Sequence, residues 1–108
     1  MSRIKQLLEF LKSEPHDSFL NYALAMEYIG LSEMDEAKGI LLELRERDPE
    51  YTATYYHLGK LFQKEKDTEM AEKIYREGIL LAQKKREQHQ IAELQTALNN
   101  MLFEEDDE

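Results

Sequence analysis

Cysteine and tryptophan are missing from this chain of 108 residues. Without cysteine, neither a disulfide framework nor a thiolate metal site can form. Proline occurs twice and glycine four times, so little interrupts a regular backbone, and the dominance of Leu, Glu, Lys, Ala and Gln favours helix over sheet. No stretch alternates as a strand would, and no apolar run approaches the length needed to span a bilayer. Positive charge is also scarce: 14 Lys and Arg stand against 23 Asp and Glu, for a net charge of −9. That balance argues against nucleic acid and anionic membrane surfaces as partners, because phosphate binding draws on clustered cationic side chains. Met1-Ser2-Arg3-Ile4-Lys5 leads into an apolar pattern broken by Glu9 and Lys12, unlike a signal peptide. A soluble cytoplasmic protein is the expectation.

Catalytic signatures are lacking too. No HExxH, glycine-rich phosphate loop or nucleophile elbow occurs. His16, His57 and His89 are scattered without a partnering motif, so no enzyme chemistry, cofactor or metal is expected.

What is present is helical periodicity, in a chain whose length and 42% hydrophobic content suit one domain. Ile4, Leu7, Leu8 and Leu11, widened by Phe10, give an apolar stripe over residues 2–13 that must end before Pro15. Asp17 or Ser18 can cap a second helix carrying Leu20, Leu24, Tyr28 and Leu31, with Gly30 near its end. Ser32-x-x-Asp35 resembles a capping box opening a third helix through Ala37, Ile40, Leu41 and Leu44, closed by Asp48-Pro49. A fourth covers residues 52–65. Asp67 can cap a fifth, with Ala71, Ile74, Tyr75, Gly78, Leu81 and Ala82, which runs on into Lys84-Lys85-Arg86 because Gln83 stands where proline closed the earlier helices. After a break near residues 87–90, Ile91, Leu94, Leu98, Met101 and Leu102 form a last helix with one narrow apolar face. Glu104-Glu105-Asp106-Asp107-Glu108 then reads as a disordered acidic tail, over residues 104–108.

These helices repeat. Tyr55 opens a set in which Leu58, Gly59 and Phe62, followed by Ala71 and Tyr75, are answered 34 residues earlier by Leu24, Ala25, Tyr28, Ala37 and Leu41. Large residues share a face while Gly59 and Ala71 lack the bulk that would hold two helices apart. The pattern resembles the tetratricopeptide repeat. Residues 52–85 follow it with Tyr55 in the tryptophan place but without the closing proline; residues 18–51 follow it with Pro49, but with Asn21 in the aromatic place. Pro15 and Leu7 stand in register with Pro49 and Leu41, so residues 2–13 look like the second half of a repeat.

The resemblance implies an all-α, right-handed solenoid of helical hairpins with about six helices, in a single domain over residues 1–103. Two units are fewer than the three usually needed, so the helices at 2–13 and 87–103 are expected to cap the stack.

It also implies a concave groove lined by the first helix of each unit. There the groove would present Phe19, Tyr22, Met26 and Ile29, then Ala53, Tyr56, Lys60, Gln63 and Lys64. Tyr22 and Tyr56 offer large contact area at low entropy cost, although both can instead pack against the terminal helices. Lys60 and Lys64 can attract a partner's carboxylate or stay solvated; the acidic tail can cover them or stay free. Chaperone-binding members grip a terminal carboxylate with Lys and Asn, where this chain has Tyr22, Met26 and His57. An internal apolar segment or amphipathic helix is therefore the expected occupant. The function implied is non-catalytic binding of a protein or peptide, as an adaptor, scaffold or co-chaperone. The alternative is a self-associating homodimer whose uncovered helix faces pair.

Overall fold

A computed structural model of the chain describes residues 2–104. These form six α-helices and no strand: α1 (Arg3–Ser13), α2 (Ser18–Gly30), α3 (Met34–Arg47), α4 (Ala53–Lys64), α5 (Thr68–Lys85) and α6 (Gln88–Glu104). The chain divides into two compact units, Met1–Thr54 and Tyr55–Glu108.

In the first unit, the Ser2 hydroxyl accepts the Lys5 N–H at 3.1 Å and so starts α1. Glu14 ends it at φ −130°, ψ 64°, outside helical geometry, as a residue before proline must be. Asp17 starts α2 by accepting the Leu20 N–H at 2.8 Å. Asn21, in the place the repeat pattern gives to an aromatic, donates its amide to the carbonyls of Pro15 (3.1 Å) and Asp17 (2.9 Å). It fastens the preceding turn instead of filling space. Leu7 of α1 packs with Ala23 and Leu24 of α2, and Ile4, Leu11, Leu20, Tyr28 and Ile40 close around them. Leu8, Phe10 and Leu31 do not join this core; they are 44%, 62% and 63% exposed. The apolar stripe of α1 is therefore narrower than its sequence pattern, since only Ile4, Leu7 and Leu11 face α2.

The expected capping box at Ser32 does not form. Ser32 is already committed to closing α2: it sits in the left-handed region at φ 60°, and its N–H donates to Ile29 while the Glu33 N–H donates to Tyr28, both at 2.9 Å. So α3 begins at Met34 without a side-chain cap. This closing turn recurs around Lys66 (φ 66°), where Asp67 donates to Phe62 and Lys66 to Gln63, each at 3.0 Å, and around Arg86 (φ 59°). No glycine takes a positive φ. The left-handed positions are thus held by Ser, Lys and Arg.

In the second unit, Asp67 starts α5 by accepting the Met70 N–H at 3.3 Å. α4 and α5 meet at glycines. A Cβ on Gly59 would lie 2.6 Å from Tyr75 Cδ1 and 2.8 Å from Cζ, with Cε1 nearer still. A Cβ on Gly78 would lie 2.6 Å from Tyr55 Cβ and 3.0 Å from Leu94 Cδ1, so α5 presses on α4 at one side and on α6 at the other. Ala71, Ile74, Tyr75, Ala82, Leu94 and Met101 are fully buried. With Gln83 in place of proline, α5 extends to Lys85, and only Arg86 and Glu87 separate it from α6. α6 ends at Glu104, the first residue of the expected acidic tail; residues 105–108 lie outside the described residues.

Candidate protein-binding surface

Helical spacing puts Phe19, Tyr22, Met26 and Ile29 along one side of α2. Their surroundings differ. Phe19 is 61% exposed, whereas Tyr22, Met26 and Ile29 are half-buried. The Tyr22 ring lies 5.9 Å from that of Tyr51, tilted by 58°, a favourable aromatic arrangement. Burial, and then the carboxylates of Asp17 and Asp48, push the Tyr51 hydroxyl pKa up; Asp48 also accepts a hydrogen bond from the Ser18 hydroxyl. Met26 opens into a shallow hollow of about 320 Å³ shared with Arg3 and Ile4 of α1. In this unit the expected residues are therefore split: Tyr22 leans on Tyr51, Met26 looks toward α1, and Phe19 stands in solvent.

In the second unit the α4 residues converge. Tyr56 and Lys60 line a hollow of about 350 Å³ whose other wall is α6, through His89, Ala92, Glu93, Thr96, Ala97 and Asn100. Lys60 Nζ lies 5.6 Å from the Tyr56 ring centre, within cation–π range. The His57 ring stands edge-on to that of Tyr56 at 5.1 Å. Burial lowers the His57 pKa, and the carboxylate of Glu93 raises it back in part. Lys60, Gln63 and Lys64 line an adjoining depression of about 260 Å³. Gln63 has a second duty, because its Oε1 accepts the Tyr75 hydroxyl at 2.9 Å. Burial, together with Tyr56, raises the pKa of that hydroxyl, so it stays protonated and donating.

The α6 wall is absent from the set read off the sequence, which treats α6 only as a cap. A signal for it exists. The buried residues Leu58, Leu61 and Phe62 of α4 are matched 36 residues on by Leu94, Ala97 and Leu98 of α6, so α6 repeats the pattern of α4. The same step carries Lys60 to Thr96 and Lys64 to Asn100. Chemically, the hollow offers an aromatic face, one ammonium group and a rim of hydroxyl, amide and imidazole groups, with the Glu93 carboxylate on the α6 wall beside His57. It is suited to holding a short apolar side chain beside a carboxylate. Among the described residues, no group of three or more His, Asp or Glu could hold a metal ion, and no helix is long and apolar enough to cross a membrane.

Comparison with known proteins agrees with this architecture. The family model described as tetratricopeptide repeat matches residues 52–85. The crystal structure of a tetratricopeptide repeat domain protein from Salinibacter ruber is 39% identical in sequence, with a TM-score of 0.77 over 79% of this chain and 94% of that one. A solution structure from the same organism gives 39% identity and a TM-score of 0.76, over 81% and 88%. A solution structure of a protein from Bordetella parapertussis is 25% identical with a TM-score of 0.82, over 96% and 90%. No curated protein sequence matches. The chain belongs to the tetratricopeptide repeat family. Domains of this family generally mediate protein–protein interaction and are generally non-catalytic.

Proposed function

We propose that this chain acts by stoichiometric binding, as a cytoplasmic adaptor or scaffold, and that the hollow between α4 and α6 takes a segment of a partner protein. The segment carries an apolar side chain against Tyr56 and a carboxylate at Lys60, with Thr96 and Asn100 supplying hydrogen bonds. The observation behind this reading is the stacking of Lys60 over Tyr56 opposite a polar α6 wall. An ammonium group beside a ring in a partly enclosed hollow loses less to solvent than an isolated surface lysine does, so it has more to gain from an anionic ligand. In the first unit, Phe19 is a separate apolar contact, 61% exposed.

Selection from a displayed peptide library tests this. Enriched peptides should pair an acidic with an apolar residue, and both Tyr56→Ala and Lys60→Glu should weaken their binding by about tenfold or more. Enrichment of basic peptides, or binding indifferent to both substitutions, would rule the hollow out.

A further inference from the structure

The two ends of the described helices are halves of one repeat, of opposite kind. α1 ends as a second-half helix does: the residue after it, Glu14, has φ −130° and ψ 64°, against φ −137° and ψ 72° for Asp48 after α3, and each is followed by proline. α6 instead repeats α4, a first-half helix. In α4, the side bearing Gly59 and Gln63 is the side that Tyr75 of the following helix occupies. The 36-residue step carries that side to Gln95 and Asn99, and there α6 and α5 frame an unfilled groove of about 520 Å³. Its aliphatic lining is Ile79, Leu80, Leu98 and Leu102, and Leu80 is 68% exposed. The hollow holding Tyr56 and Lys60 lies on a different side of α6, so this groove is separate from it.

We infer that the groove is filled by α1 of a second copy, which completes α6 as a repeat by head-to-tail association. α1 presents Phe10 to solvent, 62% exposed, although its counterpart 34 residues on, Leu44 of α3, is buried. The contact is heterologous, because α1 of one copy meets a different surface, the α5–α6 groove, of another.

Sedimentation velocity on the full chain, across a range of concentrations, distinguishes the outcomes. Wild type should self-associate. Phe10→Asp and Leu80→Asp are surface changes, with retained helicity checked by circular dichroism, and each alone should weaken association about tenfold or more. Mixed together, the two variants should form a one-to-one pair, because the Leu80→Asp copy still offers α1 and the Phe10→Asp copy still offers the groove. A wild type monomeric at every concentration would overturn the inference. So would association that survives Phe10→Asp but not Leu80→Asp, which would mark a symmetric groove-to-groove dimer, or a mixture in which the variants stay apart.

Discussion

Replacing Gly59 with alanine puts a methyl group where the Tyr75 ring lies. To bring the 2.6 Å separation from Cδ1 out to the 3.4 Å at which ordinary contact begins, the ring must retreat by at least 0.8 Å, and Cε1, which starts nearer, must move further. It has nowhere to go. Tyr75 is fully buried, and its hydroxyl is tied to Gln63 at 2.9 Å. Overpacking of this kind costs about 1–3 kcal/mol, and straining the Tyr75–Gln63 hydrogen bond adds about 1 kcal/mol. The helix-propensity gain of alanine over glycine returns about 1 kcal/mol. The expected net loss is about 1–3 kcal/mol, and each kcal/mol lowers the thermal midpoint by about 4–8 °C in a domain near this size. Gly39→Ala is the control. Gly39 lies in the exposed middle of α3 with nothing within 4 Å of its missing Cβ, so the same substitution there should raise stability by about 0.5–1 kcal/mol. The first unit suggests the rescue: it carries Ala25 and Leu41, both fully buried, where the second carries Gly59 and Tyr75. The double variant Gly59→Ala/Tyr75→Leu should therefore lose less than the sum of the single changes. Thermal and urea melts followed by circular dichroism measure wild type, the three single variants Gly59→Ala, Gly39→Ala and Tyr75→Leu, and the double variant. A Gly59→Ala protein as stable as wild type would refute the nesting of α4 on α5.

Two other outcomes are expected. Enlarging Ala37 or Ala71, both fully buried, to leucine should cost about 1–3 kcal/mol in the same melts, whereas alanines open to solvent would accept the change without loss. Because burial lowers the His57 pKa, the unfolded chain takes up this proton more readily than the folded one. Stability from this residue is whole above the ordinary histidine value of about 6.5 and is lost as pH falls below it. His57→Gln should accordingly lose less stability than wild type between about pH 7.5 and pH 5.5, and parallel pH profiles would contradict the assignment.

Much of the fold is legible in the sequence because its signals are local. Pro15 and Pro49 end helices through backbone sterics, Asp17 and Asp67 start them with a bond spanning three residues, and the lack of proline at Gln83 lets α5 run on. The failures occur where one residue has two possible tasks. Ser32 has the spacing of a cap, yet the turn between α2 and α3 is so short that its backbone is consumed in closing α2. Leu8 and Phe10 fit an apolar stripe, but a stripe does not state its width, and only contact with α2 reveals which members are covered. The surface is harder to read for the same reason. Lys60 and Tyr56 are one turn apart and visibly share a face. The Tyr22–Tyr51 pair and the α6 wall bring together residues roughly 30 or more positions apart, and a 34-residue ruler misses α6, which keeps a 36-residue step.

The absent proline in α5 has an effect beyond helix length. α3 stops at Arg47 after 14 residues, while α5 continues for 18 and ends at Lys85, about 6 Å more of rigid rod at 1.5 Å per residue. Gln83, standing at the very place of the missing ring, borders the furrow where Leu80 and Leu102 meet water. Had the rod broken off as α3 does, one bank of that furrow would be cut short, leaving an incoming helix less to lie along. A single imino acid withheld from the chain thus shapes the landing place at its far end.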